Sequence, residues 1–317
     1  MEKRALGRSG IMVPPLCFGG NVFGWTADAA TSYALLDALV EAGFNFIDTA
    51  DVYSVWVPGH AGGESESIIG DWLALRGGRD RVIIATKVGG QLSAEKKGLK
   101  RARIIEAVEE SLRRLKTDYI DLYQSHFDDP DTPVEEPLEA YEQLIRAGKV
   151  RAIGASNFAP ERLRAALDAS RRGLPRYETF QPEYNLYARD SFEGPLQQIC
   201  LEEEVGVIPY FALAAGFLTG KYRSEADLGK SPRGARSIPK YLNPRGLRIL
   251  AALDTVAARH DATPARIALA WLMTRPAVTA PIASATSLAQ LQELFAAAEV
   301  KLTDLDLQEL ETASAPA

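Results

Sequence analysis

A single-domain (β/α)8 barrel spanning 1–317 is the fold class this sequence predicts, capped by an N-terminal β-hairpin and carrying loop insertions. Three observations support it. Eight short β-rich or apolar runs occur, at 16–20, 44–50, 82–88, 120–126, 150–156, 179–185, 206–213 and 279–284. Segments with helical apolar spacing lie between most of them. The runs begin roughly every 28 to 38 residues, the length of one βα unit, and no Pro/Gly/Ser linker or low-complexity stretch divides them. Eight such units close into a barrel, whereas an open doubly wound sheet would usually need fewer strands.

The opening residues place Gly7-Arg8-Ser9-Gly10 between short extended pieces, a hairpin that caps one end of the barrel. After the first strand run, SYALLDALVEAG puts Leu35, Leu36, Leu39 and Val40 on one stripe, with Gly43 where a left-handed cap belongs. RARIIEAVEESLRRL aligns Ile104, Ile105, Val108, Leu112 and Leu115 on one face and its charges on the other, as in a surface helix. Pro160 stands near the first turn of APERLRAALDAS, and Thr263-Pro264 opens ARIALAWLM. Ser287, with Gln290 three residues later, predicts a capping box ahead of LQELF. Only the gap between the seventh and eighth runs is much longer than the rest. Its excess, GKYRSEADLGKSPRGARSIPKYLN, is polar and rich in Gly and Pro and reads as a loop insertion. The helix LRILAALDTVAARH follows it and ends at His260, where a cation complements the dipole.

Composition removes several classes of function. With 36 Lys and Arg against 42 Asp and Glu the formal charge is −6, and the pI is about 5.3. No global basic field exists to hold nucleic acid or an anionic membrane, so small molecules are the expected partners. Cys17 and Cys200 lie far apart, which excludes a disulfide framework and multi-thiolate metal sites. Three histidines leave little material for an imidazole metal centre, and no metal is expected. The N-terminal MEKRALGRSG has charge without a following apolar stretch, and no run approaches the ~18 apolar residues of a membrane span. Cytoplasmic residence is therefore the expectation.

In a barrel, chemistry sits where strands end and βα loops begin. The polar residues there are specific in type. The second strand run carries Asp48, with Tyr53 just past it, and the third ends near Lys87. The fourth ends at Gln124, Ser125 and His126, the fifth runs into Ser156 and Asn157, and the sixth carries Gln181.

Six motifs in strand order, GFNFIDTADVY, ATKV, LYQSH, GASNF, QPEYN and PYFALAAGFLTGKY, resemble the aldo-keto reductases, a family of NAD(P)H-dependent (β/α)8 carbonyl reductases. The resemblance covers essentially the whole chain. Matched residue by residue, it implies a catalytic tetrad of Asp48, Tyr53, Lys87 and His126. The chemistry of such a tetrad is arguable from first principles. Hydride reduction of a carbonyl needs a proton donor for the developing alkoxide, and a free tyrosine, with pKa about 10, is a reluctant one. A neighbouring Lys87 ammonium is expected to lower it, Asp48 to keep the lysine charged, and a neutral His126 to hold the substrate oxygen.

No GxGxxG follows a strand, so a Rossmann site is not expected. GFLTGK is one residue short of the phosphate-loop spacing, and Tyr222 stands where that motif needs Ser or Thr. The resemblance instead implies NADPH, with NADH as the alternative. It places the carboxamide at Ser156, Asn157 and Gln181, the ring on Tyr210, and a pyrophosphate strap at Leu213, Gly216, Leu218, Gly220 and Lys221. Ser284, Thr286, Gln290 and Glu293 are implied at the adenosine end, where no lysine or arginine grips a 2′-phosphate. Val22, Phe23, Trp25 and Trp56 are expected to line an apolar substrate pocket for an aldehyde, ketone or alcohol. The alternative implied by the family is an NADPH-binding, redox-sensing, channel-associated subunit with low turnover.

Overall fold

The computed structural model describes residues 2–232 and 234–315. Two strands, β1 (Arg4–Ala5) and β2 (Met12–Val13), form an antiparallel hairpin. Eight parallel strands follow: β3 (Cys17–Gly19), β4 (Phe46–Asp48), β5 (Ile83–Val88), β6 (Ile120–Ser125), β7 (Val150–Ser156), β8 (Tyr177–Gln181), β9 (Gly206–Val207) and β10 (Ile282–Ala283). The sheet order is β10-β3-β4-β5-β6-β7-β8-β9. A bridge between Val207 and Val278 joins the two edges, with Thr279 N–H donating to Val207 O at 2.8 Å and Ile282 N–H to Pro209 O at 2.9 Å. The described residues thus close the predicted (β/α)8 barrel.

Several strands are shorter than their apolar runs, and proline accounts for two of them. Pro182 follows β8 directly and Pro209 interrupts the seventh run, so neither position supplies a ladder N–H. Beyond Pro209 only an isolated bridge, Glu183 to Tyr210, continues the pairing.

The helices are α1 (Ala29–Glu41), α2 (Glu64–Arg76), α3 (Arg101–Leu115), α4 (Glu135–Arg146), α5 (Pro160–Ser170), α6 (Pro195–Glu202), α7 (Gly234–Ser237), α8 (Pro244–Arg259), α9 (Pro264–Thr274), α10 (Leu288–Ala297) and α11 (Asp304–Ser314). Helix α3 buries Ile104, Val108, Leu112 and Leu115 of the predicted stripe and leaves Ile105 half-buried. Gly43 has φ +79° just past α1, as its C-terminal cap requires. At α10, Ser287 accepts the Gln290 N–H, but the Gln290 side chain accepts from Thr286 N–H at 2.9 Å. The reciprocal arm of the expected capping box is therefore displaced by one residue. The loop insertion folds into short 3₁₀ turns, Glu225–Lys230 and Pro239–Tyr241, around α7.

The hairpin stoppers the N-terminal mouth of the barrel. Leu6 and Val13 join Cys17, Phe46, Ala85, Leu122, Ala152, Ile208, Ala280 and Ile282 in one apolar cluster. At the periphery, α11 packs on α8, and the buried Asp306 carboxylate accepts from Thr303 Oγ1 (2.7 Å) and Arg259 (3.0 Å) and meets His260 Nε2 at 2.8 Å. Burial pushes this carboxyl up, yet those hydrogen bonds outweigh it and hold it well below the usual range. A depressed aspartate stabilises the fold above its unfolded value and loses that contribution as pH falls through the folded one. Asp306→Ala is expected to cost about 3 kcal/mol near pH 7 in urea unfolding, because Arg259 and His260 lose their shared partner, and the deficit should shrink in strong acid.

Candidate active site

Alternation along the strands sorts the side chains. On β5, Lys87 follows Ala85 into the barrel while Thr86 faces the helices, and on β6 Gln124 follows Leu122 inward while Tyr123 faces outward. Register pairs Lys87 with Gln124, Gln124 with Gly154 and Ser156 with Gln181, which sets these polar ends above the apolar stopper. A Cβ on Gly154 would overlap Thr179 and crowd Gln124, so glycine keeps that layer open.

The structure brings all four tetrad candidates together. Asp48 ends β4 and Lys87 lies near the end of β5, fully buried. Lys87 Nζ donates to Asp48 Oδ2 at 2.6 Å, Tyr53 OH at 2.7 Å and Thr49 O at 2.9 Å. Tyr53 OH lies 3.1 Å from Asp48 Oδ2, and the other carboxylate oxygen accepts from Gln124 and Gln181. Tyr53 is aimed by its turn: its N–H donates to Ala50 O, and Ser54, at φ +72°, donates its hydroxyl to Phe23 O at 2.8 Å. His126 follows β6, its ring 6.0 Å from the Tyr53 ring, with no partner at Nδ1 among the described residues.

The electrostatics agree with the expectation for lysine and histidine and reverse it for tyrosine. Burial pulls Lys87 below its ordinary value while Asp48 opposes the shift. Burial, then the Lys87 charge, pushes His126 well below its ordinary value, so the imidazole is neutral. Tyr53, expected to be lowered by Lys87, is instead held well above the ordinary phenol value by burial, the Asp48 charge and donation to Asp48. The carboxylate that steadies the lysine also opposes a phenolate beside it.

Around this centre Ser156 Oγ donates to Gln181 O at 2.7 Å, Asn157 Nδ2 to His126 O at 2.9 Å, and Tyr210 OH to Asn157 Oδ1 at 2.8 Å. Asn157 adopts φ +56° and holds the loops together; the α5 N-cap is Ala159. Gln181 Nε2 is committed to Asp48 and Gln124, which leaves its amide oxygen to accept from a ligand N–H. Ser156 and Asn157 are satisfied within the protein, so of these three residues Gln181 offers the open group, an acceptor beside the Tyr210 ring for the N–H of a carboxamide. Gly216 at φ +95° and Gly220 at φ +79° bracket a strap in which exposed Lys221 reaches back toward Gly216. Leu213 is partly buried and Leu218 fully so, leaving the Leu218 side chain in the core rather than facing a ligand.

The remaining predicted positions divide. Ser284 Oγ bonds Asn21 at 2.7 Å, and Thr286 and Gln290 bond each other on the exposed approach to α10. Glu293 is occupied within the protein by Thr263 Oγ1 at 2.7 Å and by the Arg266 guanidinium, which the sequence reading passed over. Val22 and Phe23 are buried, and Phe23 stacks on Phe18 at 5.4 Å. Trp25 and Trp56 do face the mouth, ring to ring at 5.6 Å. Phe127, absent from the predicted set, is 47% exposed and stacks on His126 at 4.6 Å. Its place directly after a strand-end histidine was the available signal.

A sequence model of the Aldo/keto reductase family matches residues 15–315. Protein tas of Escherichia coli (strain K12) is 33% identical, covering 98% of this chain and 97% of its own. Aldo-keto reductase YhdN of Bacillus subtilis (strain 168) is 36% identical over 93% and 86% respectively. A protein of Arabidopsis thaliana named as a probable voltage-gated potassium channel subunit beta is 33% identical over 98% and 96%. With a closed barrel, four polar strand ends meeting above its core and a family match from just past the hairpin to the last helix, the chain belongs to the aldo/keto reductase family of NAD(P)H-dependent oxidoreductases.

Proposed function

We propose that the protein reduces aldehydes or ketones to alcohols with NADPH, Tyr53 giving the proton and His126 orienting the carbonyl. The observation that carries this reading is the Asp48–Lys87–Tyr53 triangle beside a neutral histidine. A bound nicotinamide dinucleotide supplies the hydride. The raised Tyr53 phenol stays protonated through the neutral range, and a nascent alkoxide is a stronger base than any phenolate, so the proton moves from Oη to the substrate oxygen. Lys87 Nζ, already 2.7 Å away, then stabilises the phenolate. Deprotonating this phenol, the step that alcohol oxidation needs, is correspondingly harder near neutral pH.

Ser156, Asn157, Gln181 and Tyr210 are the proposed carboxamide and ring contacts, and Lys221 the phosphate contact. NADPH is our assignment on family grounds, and NADH the alternative, since Ser284, Thr286 and Gln290 carry no charge. Substrate class follows from an aromatic arc around the hydroxyl: Trp25, Trp56, Tyr53, His126 and Phe127, with neighbouring rings 4.6 to 6.1 Å apart. Such a rim suits a flat, mostly apolar carbonyl compound.

NADPH oxidation dependent on 4-nitrobenzaldehyde is the test, with KM compared for NADPH and NADH. Trp56→Ala and Phe127→Ala are each expected to raise the aldehyde KM about tenfold, as lost ring contacts of this size do. Tight NADPH binding without aldehyde-dependent turnover would favour the sensor reading instead.

A further inference from the structure

The outward-facing side of the same strands carries a second ionic cluster. Three residues after Asp48 the chain turns Asp51 out of the barrel into the layer between the sheet and α2 and α3, where it is 1% exposed. Among the described residues its side-chain partner is Arg103 on α3: Arg103 Nη2 meets Asp51 Oδ2 at 3.5 Å, and Asp51 Oδ1 has no partner among them. Arg103 is itself buried and is held by Glu106 at 2.8 Å and Glu110 at 3.4 Å, with Lys96 on the far side of Glu110. Glu66 on α2, also buried, takes Thr86 Oγ1 and Arg114. Tyr123 on β6 shares the layer, and its hydroxyl has no partner among the described residues. The Asp51 N–H also donates to Lys87 O at 3.3 Å.

We propose that Asp51, gripped by Arg103, is a positioning residue for Tyr53: it anchors the 49–53 turn to α3 and thereby fixes where the phenol meets Lys87. The chain enters this turn at Asp48, inside the barrel, and re-enters at Tyr53, so the outward excursion at Asp51 sets the angle of return. Asp51 touches no reacting atom. The inference rests on Tyr53 being the proton donor.

The clamp carries its own titration. Burial and the neighbouring Glu66 charge push Asp51 up to about 7 against the pull of Arg103 and Arg114. Lys87 from β5, Tyr123 from β6 and Tyr141 from α4 complete the groups within its field. Above that value the carboxylate pairs with Arg103, and below it the pair is discharged. A raised aspartate stabilises the fold at pH below its unfolded value and loses that contribution as pH rises through the folded one.

Asp51→Asn keeps the volume and removes the charge. Its kcat for 4-nitrobenzaldehyde should fall about tenfold to a hundredfold, the scale of a sub-ångström to ångström misplacement. Its Kd for NADPH, read by fluorescence titration, should stay within about twofold. The parent's loss of kcat on acidification through about pH 7 should vanish in the variant, and so should the parent's decline in Tm between about pH 4 and 7. Asp51→Glu should recover most of the turnover, and Arg103→Gln should repeat the loss, which keeps the test available if Asp51→Asn does not fold. An Asp51→Asn or Arg103→Gln enzyme with parental kcat and pH profile overturns the clamp while Tyr53→Phe remains inactive. A fully active Tyr53→Phe overturns the proton-donor reading and the clamp together.

Discussion

Tyr53→Phe is expected to lower kcat for carbonyl reduction about 10³-fold, with Kd for NADPH unchanged within about twofold. The variant deletes one oxygen and keeps the ring, so the contacts with Trp56 at 6.1 Å and His126 at 6.0 Å persist, as does the Lys87 ammonium 4.5 Å from the ring centre. What disappears is the donor between Lys87 and the substrate oxygen. Because burial and Asp48 hold that phenol well above its ordinary value, the wild-type reduction rate should not fall through loss of the donor anywhere near neutral pH. Single-turnover kinetics separates this from slow product release. Turnover within about threefold of wild type would remove Tyr53 from the chemistry.

Lys87→Met should also abolish turnover, and its effect on stability should be separable from that loss. Lys87 and Asp48 are 0% and 1% exposed, so removing one charge leaves the other buried without its counter-ion. Such a broken pair typically costs about 3 to 5 kcal/mol. Asp48 retains donation from Tyr53, Gln124 and Gln181, which places the expected loss at the lower end, about 3 kcal/mol. Replacing both partners, Asp48→Asn with Lys87→Met, should return most of it, because a buried pair often contributes little over uncharged groups of similar size. Urea unfolding of the single and double variants reads the stability and NADPH oxidation the activity. A double variant that regains turnover would show that the ion pair does not serve catalysis.

The barrel was legible because its signals are local. Helix α3 coincides with RARIIEAVEESLRRL since a periodic stripe bounded by charges needs no tertiary information. The gathering of polar groups at one end of the barrel was legible for a related reason: strand ends are where alternation stops hiding polar groups, and Asp48, Lys87 and His126 each stand at or beside one. What escaped depends on the direction of a side chain in a loop, which no periodicity encodes. Phe23 looked like a pocket wall and turned into the core, while Phe127 was passed over and faces the mouth. Asp51 and Arg103 are 52 positions apart and meet only after α3 docks. Glu293 was occupied by Arg266 across two helices, a pairing invisible in either segment alone.

The barrel wall is uneven around its circumference. Pairing runs over four or five residues between β5 and β6, β6 and β7, and β7 and β8, but over two between β8 and β9, β10 and β3, and β3 and β4, and over a single bridge at the closure. Lys87, Gln124, Ser156 and Gln181 are therefore mounted on a stiff arc, and the Gly216–Lys221 strap and Ser284 flank a thinly stitched seam. Lys87, Gln124 and Gln181, which all meet the Asp48 carboxylate, thus hang from the most extensively paired part of the wall, while Asp48 itself stands on β4 beside a thinner part.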